Sequence, residues 1–319
     1  MNAWRSLTRW RRLLIVLAVC AAVIAIIIAL IPHEPKYDGR ALSEWIKDSA
    51  PQKSPDPKTT SAVEAVRHIG TNGLPWLMKW ISAKEPPAWQ LKLTTANSRL
   101  PRWVRLRLLP SLFGINSYYA HRRMALDGFL ILGPVASPAV PALLQMVGSS
   151  SGDSPAKGAL GSIGTAGLAQ TLGVLTNRAG APAVRAAAAD WLRVNPEFGR
   201  AAVVPALEQC LREKDAKVAK AAAHALVRLS AEPEPVVPFF IKLLQTGDIL
   251  SRCDAAENLG AFREKARDAV PALVTALNDS DWYVRRAATK ALFLIAPEAL
   301  EQAIPGSVAA MKQSHEFGR

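Results

Sequence analysis

Cysteine is nearly missing from this chain: three in 319 residues, at Cys20, Cys210 and Cys253. They stand far apart and none belongs to a C-x-x-C pair, which excludes a disulfide framework and a cysteine-based zinc site. Histidine is equally thin. His33, His68, His121, His224 and His315 are scattered along the chain, and no catalytic triad or metal-ligand spacing can be assembled from them. Alternating apolar and polar residues, the mark of a half-buried strand, do not occur. No glycine-rich phosphate loop follows a strand; the Ser149 to Gly152 stretch reads as a plain turn. The residue pattern therefore names no catalytic residue, no metal ligand and no cofactor, and the expectation is a non-enzyme.

Acids are missing in one place only. Between Ala88 and Leu126 stand Lys92, Arg99, Arg102, Arg105, Arg107, Arg122 and Arg123 with no Asp or Glu. With four arginines before residue 13, this stretch carries most of the net charge of +13. Basicity is thus local, and a general affinity for nucleic acid does not follow from it.

What is present begins with Leu13 to Ile31, an uncharged and almost wholly apolar run. As a helix it spans roughly 28 Å, the thickness of a bilayer's hydrocarbon core. Its end, Ala29-Leu30-Ile31-Pro32, lacks a signal-peptide cleavage pattern. Val19 before Cys20, and the apolar residues after it, argue against a lipoprotein signal. The run is expected to be a transmembrane helix. Arg5, Arg9, Arg11 and Arg12 precede it, whereas Lys36 and Arg40 follow it among acids. The basic tail 1–12 is therefore expected in the cytoplasm and the rest outside it. Trp4 and Trp10 fit interfacial anchors. Residues 32–58 form a juxtamembrane segment: a short helix near Ala41 to Asp48, then a Pro/Ser linker.

Residues 59–319 repeat themselves. Val184-Arg185, Ala188 and Leu192 align with Val218, Ala222 and Leu226, then with Ser251-Arg252, Ala255 and Leu259, then with Val284-Arg285, Ala288 and Leu292. The alanine and leucine share a helix face. A second helix opens on an apolar-Pro pair: Leu74-Pro75, Val140-Pro141, Val204-Pro205, Val237-Pro238, Val270-Pro271 and Ile304-Pro305. Proline suits the first helical turn, where its missing N–H costs nothing. About seven hairpins result, at 59–83, 118–149, 154–178, 182–213, 216–246, 249–279 and 282–313, an all-α solenoid. An insertion at 84–117 mixes Trp89, Trp103 and Phe113 with Arg and Leu, and prolines at 86, 87, 101 and 110 break it. It reads as a loop across its own solenoid, or as a surface for anionic lipid headgroups over 89–107, or for an acidic partner, with Lys92, Arg99, Arg102, Arg105 and Arg107 as its basic patch.

The segments AVPALVTALNDSDWYVRRAATKAL at 269–292 and AVVPALEQCLREKDAKVAKAAAHAL at 202–226 resemble HEAT repeats of the bacterial, phycobilin-lyase-like type. With the membrane run and Tyr37-x-Gly39-x-x-Leu42-Ser43-x-Trp45, the whole is similar to bacterial membrane-anchored HEAT-repeat proteins. The resemblance implies a right-handed α-solenoid whose second helices line a concave face, and a place in the bacterial inner membrane. Residues one and four after each proline should then be exposed in the groove: Trp76 and Lys79 with Trp80 beside them, Gln145, Gln209, Phe239 and Lys242. The expected partner is a protein or peptide. A lyase-like or other small-molecule enzyme would need a polar pocket with converging titratable groups, which the sequence does not show. A HEAT-type iron hydroxylase carries His-Glu pairs facing one centre; here His33-Glu34 and His315-Glu316 sit at opposite ends. A nucleic-acid-binding HEAT protein would need a basic column, and this column reads Lys79, Gln145, Gln209, Lys242 and Thr275.

Overall fold

Alanine and leucine supply helix propensity throughout, and Gly, Pro or Asp stands at the boundaries. Short helices in series are the consequence. The computed structural model describes residues 34–49, 57–83, 85–99, 115–150, 154–229 and 232–309. The apolar run 13–31 and the tail 1–12 lie outside the described residues.

A ribbon of β1 (Lys36–Tyr37) and β2 (Arg40–Ala41) leads into α1 (Leu42–Asp48). Seven helix pairs follow. They are α2 (Pro57–Ile69) with α3 (Leu74–Ile81), α5 (Ile115–Leu132) with α6 (Val140–Ser149), and α7 (Pro155–Ile163) with α8 (Leu168–Thr176). Next come α9 (Pro182–Val194) with α10 (Arg200–Leu211), and α11 (Ala216–Arg228) with α12 (Val237–Thr246). The last two are α13 (Ile249–Ala261) with α14 (Val270–Ala276), and α15 (Trp282–Ile295) with α16 (Pro297–Ala303). Among the described residues, α4 (Ala88–Arg99) lies between the first and second pairs.

Helix starts are set by side chains. Asp215 accepts from the amides of Lys217 and Val218, Asp281 from Tyr283 and Val284, Asp248 from Ser251, and Ser154 from Ala156. Each such cap contributes about 1 kcal/mol. Helix ends in the first three units are set by glycine. Gly70, Gly133 and Gly164 all have positive φ, which a side chain resists. Each opens a short 3-10 turn into the second helix. In the sixth unit Arg263 takes that place, with φ 52°.

Neighbouring units then close on one another. Ala188, Ala222, Ala255 and Ala288 are fully buried, where α9 meets α11 and α13 meets α15. At α5 the device is Gly128: a Cβ there would lie 2.5 Å from Leu77 Cδ2. One continuous apolar core runs from Leu42 to Leu300. Its first layer explains the motif from Tyr37 to Trp45. Asp38 and Gly39, both at positive φ, turn the ribbon. The Trp45 indole N–H donates to the Tyr37 carbonyl at 3.0 Å, and the Tyr37 ring sits 5.1 Å from His68. Leu42, Trp45 and Ile46 are buried, and α1 packs on α2 and α5. The motif is the closing cap of the stack.

Four expectations need correction. Pro205 lies inside α10, which starts earlier, at Arg200; the carbonyl it leaves unbonded belongs to the exposed Ala201. In the last unit a helix the pattern did not show, Pro297–Ala303, stands before Ile304-Pro305, and helical residues resume at Ser307. The insertion is not a loop throughout. Between its prolines the stretch Ala88–Arg99 is a helix, because it contains none. Finally, Trp80 is 6% exposed and belongs to the core. Leu74, Leu77, Trp80 and Ile81 occupy the inward face of α3 at helical spacing.

Among the described residues, two helical stretches, Tyr118–Ser149 and Pro155–Thr176, could cross a membrane by length and composition. Each is a hairpin of the array, turned at Gly133 or Gly164.

Candidate interaction surface

Each second helix turns its leucines inward and one side chain per unit outward. Leu77, Leu143, Leu207, Phe240 and Leu273 are buried. Four residues after the proline, Lys79, Gln145, Gln209, Lys242 and Thr275 are all exposed. The column four residues past the proline is therefore a solvent face along the array. One residue after the proline, Trp76 and Phe239 are half-buried and pack against the core. The Lys79 ammonium lies 4.6 Å above the Trp76 ring, which fixes both at the surface. Trp76 stands 6.3 Å from Trp80, and Trp80 stacks on His121 of α5 at 5.7 Å.

Between α3 and α6 runs an open furrow of about 590 Å³. Pro75, Met78, Lys79 and Ser82 form one wall; Ala142, Gln145, Met146 and Ser149 form the other. It thus brings Lys79 and Gln145 together. Gln209 lines a separate depression of about 410 Å³ with Arg178, Arg212 and Lys214. Phe239 and Lys242 lie farther along, on α12. Of the basic patch, Lys92 and Arg99 are exposed on α4, with Trp89 half exposed. Arg102, Arg105 and Arg107 lie outside the described residues.

The depression beside Gln209 holds a half-buried ion pair. Arg185 is 3% exposed and donates to both carboxylate oxygens of Glu213, at 2.5 and 2.6 Å. Its Nε donates to the Leu175 carbonyl at 2.8 Å, so it also caps α8 of the unit before. These bonds hold the Glu213 carboxyl below its ordinary range, while burial pushes the Cys210 thiol up. Buried and bonded on both sides, Arg185 is a joint between units. Arg252 repeats the device, gripping Asp279 at 2.8 and 2.9 Å and the Gly247 carbonyl at 3.0 Å.

Three surfaces were not read from the sequence. Ile249 and Leu250 of α13 and Trp282 and Tyr283 of α15 occupy equivalent helix-start positions and are all exposed; the repeat alignment carried that signal. Glu34, Lys47 and His121 come together with Trp76, Lys79 and Trp80 around a cleft of about 350 Å³. These residues come from α1, α3 and α5 and the segment before β1, a juxtaposition no spacing could show. A cavity of about 530 Å³ also opens beside Leu160 and Trp191, where α9 docks on α6. A Cβ on Gly148 would lie 2.8 Å from the Ala183 carbonyl there. Among the described residues no group of three or more His, Cys, Asp or Glu is placed to hold a metal ion. Glu34 hydrogen-bonds Ser43, while His33 and the pair at 315–316 lie outside the described residues.

Residues 169–249 and 237–306 match the family model of HEAT repeats. No curated protein matches the chain. Among solved structures it is similar to the karyopherin Kap121p bound to the extreme C-terminus of the protein phosphatase Cdc14p, with a TM-score of 0.44 at 16% identity over 86% of this chain. It covers 32% of that karyopherin, about a third of its length. Kap121p bound to Nup53p gives a TM-score of 0.42 at 15% identity over 86% of this chain and 31% of that one. Human deoxyhypusine hydroxylase in complex with glycerol gives 0.31 at 16% identity, over 81% of this chain and 96% of that one. At these scores none of the likenesses bears on what this chain does.

Proposed function

We propose that this HEAT-repeat protein is a membrane-anchored scaffold that binds a protein or peptide partner along its second helices and carries out no chemistry on it. The observation that carries this is the exposed column Lys79, Gln145, Gln209, Lys242 and Thr275, with the furrow between α3 and α6 beside it. Packed helices stand about 8–10 Å apart, and an extended peptide rises about 3.3 Å per residue. One column residue therefore meets roughly every third residue of a strand laid across the units. Glutamine offers a donor and an acceptor together, which matches a peptide group. Lysine at Lys79 and Lys242 favours acidic side chains. Trp76 and Phe239 supply apolar contact at the edge of the core.

The anchor in this reading is the helix 13–31 in a bacterial inner membrane, with the N-terminus cytoplasmic and the array outside. It is supported by the length and apolarity of that run and by the arginines before it. A reporter fused after Arg319 should work only as a type active outside the cytoplasm. For the groove, the full chain is probed with an array of acidic peptides nine to twelve residues long, roughly three to four units of reach. Lys79→Glu with Lys242→Glu should weaken the best binder by about tenfold or more. Both side chains are exposed, so the fold should be unchanged. Undiminished binding by the double variant would remove the second helices from the binding face.

A further inference from the structure

The cleft formed by α1, α3 and α5 has a composition of its own. Trp76, Trp80 and Met124 give it an apolar lining, and His121 lies flat against Trp80. Lys47 and Lys79 reach it as exposed cations. Its one acid is Glu34, whose carboxylate accepts from both the amide and the hydroxyl of Ser43. That carboxylate is turned into the start of α1, so the cleft keeps an excess of positive charge over an aromatic floor. Such a site takes an anion attached to something apolar.

The path of the chain says which anion. Glu34 lies on the cleft's wall, and only three residue steps separate it from Ile31, the end of the apolar run. Three steps reach at most about 10 Å. The headgroup layer on one side of a bilayer is itself roughly 5–7 Å deep. Tryptophan and lysine together are the side chains that settle among headgroups, which favours a membrane lipid in this cleft.

We infer that the cleft lined by Lys47, Trp76, Lys79 and His121 binds the phosphate headgroup of an anionic membrane lipid, docking the first unit of the array onto the bilayer that anchors it. This rests on the anchor proposed above. The ammonium groups of Lys47 and Lys79 pair with the phosphate, and Trp76 lies against the glycerol and the first acyl carbons. The cap formed by residues 34–48 then couples the membrane to the stack, because α1 packs on α2 and α5. The furrow between α3 and α6 begins on the other side of Lys79, so a docked lipid would fix how the peptide groove faces the membrane.

The full chain, extracted from membranes in mild detergent, tests this by native mass spectrometry with phosphatidylglycerol or phosphatidylcholine added. The parent should retain phosphatidylglycerol preferentially. Lys47→Gln with Lys79→Gln should hold about one such lipid fewer per chain and bind it about tenfold or more weakly. Lys290→Gln, on the last unit, should behave as the parent. The basic tail before residue 13 is present in every variant, so its own lipid binding cancels. Unchanged retention in the double variant overturns the assignment. Displacement of the lipid by soluble glycerol phosphate at equal concentration overturns it too, in favour of a free phosphate ester. Alkaline carbonate extraction tests the anchor alone. A chain released by carbonate defeats the anchor reading; one retained, but with no lysine-dependent preference, defeats only the cleft.

Discussion

Arg185 shows how much one side chain can carry in a repeat protein. It ties α9 to the Leu175 carbonyl of α8 and to Glu213 beyond α10, and its side chain is nearly inaccessible. Arg185→Ala takes two charged hydrogen bonds from the half-buried Glu213 carboxylate and uncaps the Leu175 carbonyl, and should cost about 2–3 kcal/mol. Arg252→Ala should cost less, because the Arg252 side chain is itself more open to water than Arg185 and Asp279 keeps its bond from the Asp281 amide. Urea unfolding compares the two. The same pair sets an acid limit. Hydrogen bonds from Arg185 lower the folded-state pKa of Glu213, so the stabilisation is complete above the unfolded value, near pH 4.3. It is lost as pH falls through the lower folded value. Glu213→Gln should flatten that part of the stability–pH curve; an unchanged acid limb would show that the pair contributes nothing to it.

Among the elements, the joints between first and second helices differ by one residue. Gly70, Gly133 and Gly164 meet the requirement for positive φ without strain. Arg263 meets the same requirement with a side chain, which costs about 1–2 kcal/mol. It is exposed and starts the turn into α14. Arg263→Gly should therefore raise stability by roughly 0.5–1 kcal/mol, after the extra flexibility glycine gives the unfolded chain. Gly164→Ala should lower it by about 1 kcal/mol; a Cβ there meets no atom within 4 Å, so the loss would come from the backbone alone. Thermal melts of the two variants should move in opposite directions. If both fall, Arg263 is holding its turn through contacts that outweigh the strain.

Over the whole molecule, the spacing of units is set by small residues and its exceptions by polar ones. Buried alanines space the first helices of neighbouring units. Between α11 and α13 the contact is different: Asp254 receives His224 at 2.8 Å and Lys220 at 3.1 Å, and His224 stacks on Phe240. Burial would raise the Asp254 carboxyl, but these partners outweigh it and hold it low. Because each unit leans on its neighbours, an error in spacing spreads along the stack. Ala255→Leu puts three extra carbons where no surface is left and should cost about 1–3 kcal/mol. A urea midpoint equal to the parent's would mean that the stack can part at that point without loss.

Period, proline and alanine were enough to show a series of helix pairs, though not every helix start, because helix geometry makes residues three and four apart share a face wherever the chain goes. Glycine after the first helix and Asp215 and Asp281 before the next were legible for the same reason: their effect is local. The exposed column through Lys79 and Gln145 follows from the same arithmetic. Trp80 did not follow, since an indole beside an exposed lysine reads as surface until α5 brings His121 across it. Nor did the role of Tyr37, Gly39 and Trp45, which becomes a cap only when α1 meets α2 and α5. The cleft of Glu34, Lys47 and His121 is wholly tertiary. Its residues lie on elements whose approach is decided by the packing of Leu42, Leu77 and Gly128, and no pattern along the chain encodes that meeting.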